Sequence, residues 1–436
     1  CNPYRIRNKS VSNVGLKTNN IRFEERSCLV YEVKPLPDQI LDYVWDYGRL
    51  QPKDEQTYIQ IMVQGSFGSS ILAELLFASQ EFIRNVEEPY SVSLRDVKRA
   101  IKLVKFFQET LETRQKENNI YPGDSPDIVT RSYILALGLC YMSRLYDREL
   151  RKRYRETMCQ IFLRIEEYKN LNEPRFNEII REEQIDYMTR MTCPPNTAFN
   201  EALLENVLAI IVCILCKVPL FIVGSPGSSK SLAIRLVHQN LRGFDSNDVF
   251  FRKLPQVFFI PHQGSSSSTS DGIEKVFQKA KAYQETSSNE FPVISVVLLD
   301  EVGLAETSPY NPLKVLHSLL EPSYPADGPT VSVVGISNWR LDNSKSSRAL
   351  LVQRPKFDLE DLVETALKEA DPPLLNRFEK QRMTMNDFLS KEDIELVSQL
   401  EEWTRQMSTM AGSIQSQHKF TRKDLFIGFN EEETLQ

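Results

Sequence analysis

Val218–Ser231 reads VPLFIVGSPGSSKS: an apolar run, then glycine, serine and proline, then Lys-Ser. The apolar run predicts a buried strand, and the residues after it predict a tight loop opening a helix. Backbone N–H groups of such a loop, and of the first turn of its helix, point at phosphate oxygens. Gly224, Ser225, Pro226, Gly227, Ser228, Ser229, Lys230 and Ser231 are therefore the candidate phosphate cradle. Lys230 is long enough to reach β- and γ-phosphates, and the Ser231 hydroxyl is placed to hold Mg²⁺. Ser229 stands where this pattern carries its last glycine, so a Cβ occupies a turn that glycine makes freely. An ordinary strand–turn–helix connection uses the same residue types, so the loop alone does not decide the matter.

Val293–Glu301, VISVVLLDE, is a continuous apolar run that ends in two carboxylates. Strands buried on both faces of a parallel sheet have this composition. Asp300 at the carboxyl end is the candidate Mg²⁺ ligand, directly or through water, and Glu301 the group that polarises an attacking water. A core strand followed by a solvated acidic turn would look similar. The phosphate-loop pattern upstream favours the first reading, because the intervening length fits two helices and a strand, and a parallel sheet gathers both motifs at its carboxyl edge.

A third strand, Thr330–Ser337, leads into Asn338, whose amide is either a turn former or a sensor of the γ-phosphate and attacking water. Ser347–Pro355, SRALLVQRP, presents Arg354 after an apolar turn. Arg354 is either a solvated surface arginine or a guanidinium that reaches a neighbouring subunit's γ-phosphate. The predicted class is α/β: a parallel sheet with flanking helices, joined to helical lid and linker regions.

Composition narrows the choice. The 436 residues carry 53 Lys+Arg against 59 Asp+Glu, a mildly acidic balance that argues against a nucleic-acid binder. A hydrophobic content of 41% supports real cores. The longest apolar run, Val207–Cys216, falls short of the roughly 20 residues a bilayer span needs, so no transmembrane segment is expected. Seven scattered cysteines suggest reduced thiols in the cytosol, and Cys213 and Cys216 fit helix packing better than zinc or redox chemistry. No leader peptide is visible.

These elements, in this order, resemble the AAA+ P-loop ATPase superfamily, with Walker A at 224–231, Walker B at 293–301, sensor 1 at Asn338 and an arginine finger at Arg354. The longer runs DEVGLAETSPYNPLKVLHSLLEP and VVGISNWRLDNSKSSRALLVQRPKFDLEDLV, and the serine-bearing loop GSPGSSKS, are similar to the mysterin family of giant RING ubiquitin ligases. The resemblance implies ATP and Mg²⁺ as cofactors and neighbouring AAA+ modules of one polypeptide as partners. It also implies a ubiquitin-conjugating enzyme and ubiquitin as partners, reached through regions outside these residues, since no RING pattern occurs here. It further implies a cytosolic protein associated with lipid droplets. On this reading the residues are an ATP-hydrolysing core fragment of such a ligase. A nucleotide-gated scaffold with little turnover is the alternative, and a dynein-like force generator ranks last for want of a long heptad pair.

Four regions are expected. Residues 1–110 carry the end and helical lid of a preceding module, and 111–199 a helical connector with pieces at 127–150 and 152–168. Residues 200–366 hold the nucleotide-binding module, and 367–436 a fragment of a following module, with Arg377 too close to Arg354 for contiguous modules. Arg95, after a Ser93 helix cap, occupies a sensor-2 position toward the preceding module's nucleotide. LVYEVKPLPDQILDYV at 29–44 repeats the pattern of 351–366 and sets Glu32 opposite Arg354. The serine tract 264–270 is expected as a flexible loop, facing a pore or plain solvent.

Overall fold

The computed structural model describes residues 37–45, 50–67, 69–87, 91–118, 127–164, 171–195, 197–288, 290–321 and 329–355. Glu32, the residues around Asn2-Pro3 and the segments beyond Pro355, Arg377 among them, lie outside the described residues.

Five strands form one parallel sheet: β1 (Leu220–Val223), β2 (Gln256–Gln263), β3 (Val293–Asp300), β4 (Ser332–Ser337) and β5 (Leu350–Gln353), in the order β2-β3-β4-β1-β5. Every pair is parallel, so all carboxyl ends share one edge. This is the α/β architecture expected. The strands bearing the phosphate loop and the acidic pair are not neighbours; β4 lies between them and brings Asn338 into the middle. The apolar turn expected before Arg354 is the fifth strand. Leu350, Leu351 and Val352 can all be apolar because β1 pairs with one side and the short turn Met142–Arg144 packs on the strand from the helical region.

The helices before the sheet are α1 (Asp38–Leu41), α2 (Pro52–Gln64), α3 (Ser70–Val86), α4 (Leu94–Asn118), α5 (Ile128–Cys140), α6 (Arg148–Phe162), α7 (Glu173–Thr189) and α8 (Glu201–Leu215). Local chemistry sets their starts. Asp127, Asp147, Asn172 and Asn200 each accept a backbone N–H three residues on, so donors that the helix leaves unpaired are satisfied. Ser93 acts likewise on Arg95, and Asp96 returns a bond to the Ser93 N–H. Asp147 places the break between α5 and α6 at 141–147, earlier than the sequence suggested. Helix α7 lies within the expected helical connector and outside the two pieces read there; its signal was Asn172 as cap with Pro174 in the first turn. Helix α4 runs unbroken through residue 110.

Helix α8 is the hinge of the layout. Residues Ala202–Ile214 are buried on every side, which a helix tolerates only inside a core. It packs against α7, α9 (Lys230–Asn240), β1 and β4, and Ser332 Oγ donates to the Ile214 carbonyl at 2.8 Å. Cys213 and Cys216 are buried there, and burial raises both thiols, Cys216 to about 12. The apolar residues of α2 to α9 join those on one side of β1 to β5 in a single core, so helical region and sheet are packed together. Phe221, Val297, Val333 and Leu351 of the strands pack with Ile273 and Phe277 of the helix Ser270–Glu285 in a second core.

The remaining short helices, α10 (Val249–Arg252), α12 (Leu316–Leu319) and α13 (Asn343–Ser346), and the longer α11 (Ser270–Glu285), complete the sheet's surroundings. The serine tract forms a turn closed by its own side chains. Ser265 N–H donates to Ser268 Oγ at 3.0 Å, Thr269 caps α11, and Ser308 Oγ donates to the Ser268 carbonyl at 2.8 Å. Among the described residues no helix is long and apolar enough to cross a membrane.

Candidate nucleotide site

The carboxyl edge of the sheet collects the predicted residues. The loop 224–231 leaves β1 beside β4, where Gly224 N–H donates to the Ser337 carbonyl at 3.1 Å. Ser228 Oγ closes the loop on the Ser225 carbonyl at 2.8 Å, and the Asn206 side-chain amide of α8 donates to the Ser228 carbonyl at 2.9 Å. Gly227 has φ +87° and Ser229 φ 56°. Ser229 thus holds the left-handed conformation that glycine adopts freely, at a cost of roughly 1–2 kcal/mol for a residue with a Cβ. The serine substitution reads out as stored backbone strain, and the loop still closes.

Lys230 folds back over this cradle. Its ammonium donates to the carbonyls of Gly224 at 2.7 Å and Ser225 at 2.9 Å, and to Ser228 Oγ at 3.2 Å. Burial lowers its pKa to about 8, against the opposing pull of Glu301 and Asp300. That pull puts the acidic pair and the ammonium in one electrostatic neighbourhood. Ser231 is exposed in the first turn of α9.

Asp300 ends β3, and its carbonyl accepts the Gly264 N–H at 2.7 Å. Glu301 follows at φ 49°, a second non-glycine residue in the left-handed region. Such strain concentrates where a side chain must be aimed. Asn338, at the end of the intervening strand, donates its amide to both Glu301 oxygens, at 3.2 and 3.1 Å.

Arg354 is placed otherwise than expected. The Arg354 side chain is buried, ion-paired with Glu205 of α8, and lies across Gly224 of its own loop instead of pointing outward to another subunit. Arg95 is paired with Glu321 at 2.6 Å. Its neighbour Arg99 donates to the Ser347 and Ala349 carbonyls just before β5, so Arg95 belongs to the edge opposite the phosphate loop.

Sequence reasoning missed the polar residues behind the site. Glu205 and Asn206 interrupt the apolar helix EALLENVLAIIVC, and two adjacent polar residues in so apolar a run were the available signal. Glu87, at the end of α3, receives Arg144 Nε at 2.9 Å and Arg340 at 3.1 Å. Burial would raise its pKa; Arg144 and Arg340 outweigh burial and leave it at about 2. No local sequence pattern marks Glu87.

The cradle fits a Mg²⁺ nucleoside triphosphate. A Cβ built on Gly227 meets nothing within 4 Å, so the loop's outer face is open, while the ammonium already sits on three loop oxygens. Among the described residues no three His, Cys, Asp or Glu side chains gather to hold a metal alone. Mg²⁺ would rest on Ser231, Asp300 and phosphate oxygens, as this ion usually does.

Comparison with known proteins agrees with the geometry. Residues 196–361 match the family described as the RNF213 AAA domain. The chain is 35% identical over 399 residues to the E3 ubiquitin-protein ligase RNF213 of Homo sapiens, covering 84% of this chain and 8% of that one. It is 34% identical over 401 residues to the Mus musculus protein of the same name, with the same coverage. The rnf213-beta ligase of Danio rerio is 34% identical over 395 residues, again across 84% of this chain. The chain therefore spans about 8% of the length of the curated relatives it matches.

Proposed function

Given that residues 196–361 form an AAA domain of the RNF213 (mysterin) family, we propose that this chain binds and hydrolyses ATP with Mg²⁺ at the carboxyl edge of its sheet. The observation that carries the reading is the convergence of Lys230, Asp300, Glu301 and Asn338 on that edge, from three strands whose order leaves Asn338 between the other two groups.

Bound ATP supplies the phosphoryl bond to be broken, and Mg²⁺ neutralises the charge of its oxygens. The N–H groups of the loop and of the first turn of α9 bind phosphate oxygens. Lys230 exchanges its three loop oxygens for phosphate, so the charged ammonium keeps full hydrogen bonding throughout. Ser231 and Asp300 hold the metal. Glu301 orients a water, and Asn338 fixes the Glu301 carboxylate while presenting its amide to the same space. Preorganisation of this kind costs no rearrangement at the moment of reaction.

A second reading has its own observation. Asn338 engages both Glu301 oxygens, so the carboxylate is tethered away from a water until that amide turns elsewhere. A site kept in this arrangement would bind nucleotide as a structural switch with little turnover.

In the larger setting, the relatives are named as E3 ubiquitin-protein ligases. This chain would supply the nucleotide-dependent core of such a ligase, with adjacent AAA+ modules as structural partners. Transfer from a ubiquitin-conjugating enzyme would be carried by regions beyond these residues.

The test is Glu301→Gln in the full chain, with ATP turnover and binding measured separately. Hydrolysis is expected to be lost with binding retained, while Lys230→Ala weakens binding. Unchanged hydrolysis in Glu301→Gln removes the catalytic assignment.

A further inference from the structure

Arg354 stands where β5 leaves the sheet edge. Its backbone N–H donates to the Val223 carbonyl at 2.8 Å, and a Cβ added to Gly224 would come within 2.7 Å of Arg354 Cγ. Only the absence of a side chain at Gly224 lets the arginine lie on the loop. Lys230 touches the same residue from the other direction, through the Gly224 carbonyl. Two cations therefore flank the first residue of the phosphate cradle.

The anion that compensates Arg354 comes from behind. Glu205 pairs with Arg354 and also accepts a bond from Arg151 Nη1 at 3.0 Å. Arg151 belongs to α6 of the helical region, and it ties that region to β5 by donating to the Gln353 carbonyl at 2.7 Å. Its Nε holds the Leu145 carbonyl at 2.8 Å. Glu205 is thus shared between two buried guanidinium groups, one facing the phosphate loop and one anchored in the connector. The more exposed Glu201 reaches Arg151 only at 3.6 Å. Buried charge must be matched by charge or by hydrogen bonds, so a new anion at the loop competes with Glu205 for Arg354. The next residue, Asn206, holds the Ser228 carbonyl, which places loop, arginine and shared carboxylate on one turn of α8.

We propose that Arg354 is a phosphate-sensing group of its own site, exchanging Glu205 for the terminal phosphate of a bound triphosphate and passing that exchange through Glu205 and Arg151 to the helical connector. The inference deepens the nucleotide-binding reading and rests on it. Glu205 and Arg151 act as positioning residues, and the device distinguishes a triphosphate from a diphosphate by the phosphate nearest the guanidinium.

The experiment titrates the 436-residue chain with MgATPγS and MgADP and follows amide hydrogen exchange over 143–151 with each. In the unmodified chain the triphosphate is preferred and alters exchange over 143–151. Arg354→Gln is expected to reduce the triphosphate-to-diphosphate preference at least fivefold and to abolish the exchange response. Arg354→Lys, which keeps a cation and protects the fold, retains part of both. Glu205→Gln, which loosens the competing anion, raises the preference. A preference equal in all four proteins, or an exchange response confined to 224–240, overturns the proposal while leaving nucleotide binding standing. Failure of the unmodified chain to bind either nucleotide overturns both.

Discussion

Asn338 and Glu301 are joined by two hydrogen bonds, at 3.2 and 3.1 Å, from one amide nitrogen to both carboxylate oxygens. The bonds cross from β4 to the end of β3, so the candidate base is aimed by the strand next to it. Glu301 itself is held at φ 49°, and such a strained backbone persists only where its surroundings fix it. Replacement of Asn338 by Ala removes the hold without disturbing the loop. ATP turnover is expected to fall about 100-fold, the scale of a misplaced reacting group, with KM changed little. Steady-state hydrolysis by the full chain measures it, and an unaltered kcat would show that Asn338 does not position Glu301.

Lys230 should make nucleotide affinity depend on pH. Burial lowers its pKa to about 8, and phosphate oxygens favour its protonated form. Binding therefore takes up a proton above that pH. Affinity for MgATP is expected to be level below pH 8 and to decline above it by up to about tenfold per pH unit. Calorimetry in buffers of different ionisation heat reads the proton uptake directly. Affinity that stays constant to pH 9.5 would contradict the placement of the ammonium.

Ser229→Gly relieves the left-handed strain at the head of α9. The gain is partly offset by the added freedom of glycine in the unfolded chain, leaving a stabilisation of about 0.5–1 kcal/mol. Urea unfolding followed by tryptophan fluorescence gives the number. A less stable variant would mean that the serine hydroxyl contributes more than its Cβ costs.

Glu87 offers a test of how the helical region is fastened to the sheet. Its carboxylate compensates Arg144 and Arg340, and removal of one partner from a buried ion pair costs about 3–5 kcal/mol. Glu87→Gln should destabilise the chain on that scale at neutral pH. The folded pKa of about 2 lies below the ordinary 4.5, so the unfolded chain binds the proton more readily. The stabilisation from Glu87 is therefore complete above about pH 4.5 and is lost as the pH falls toward 2. The gap between the two proteins should narrow over that acid range and remain level at higher pH. A constant gap down to pH 2.5 would assign the effect to packing instead of charge.

The parts of this fold that were legible in the sequence are those whose signals are local. VPLFIVGSPGSSKS and VISVVLLDE announce buried strands with chemistry at their ends, because a parallel strand is apolar throughout and its carboxyl end must turn. The same run concealed strand order: nothing in either segment says that β4 lies between them, since register and neighbour choice are set by non-local pairing. Arg354 was found, and its direction was not, because an arginine's partner is a property of the folded surroundings. Glu205 shows only as a polar break, with Asn206, in a helix that otherwise reads as core, and Glu87 lies far along the chain from Arg340. Buried charge networks are assembled by packing, so their members carry no spacing that marks them. Helix α7 was legible in principle, from Asn172 and Pro174, and was hidden by the charged residues around it.

The central claim is that Lys230 and the Asp300-Glu301 pair grip one Mg²⁺ nucleotide. Isothermal titration of MgATP into the full chain, beside Lys230→Ala, tests it most directly. The account predicts one site per chain in the unmodified protein, weakened at least 100-fold by Lys230→Ala and weakened again when Mg²⁺ is withheld. Equal affinity in the two proteins, or binding indifferent to Mg²⁺, would contradict it.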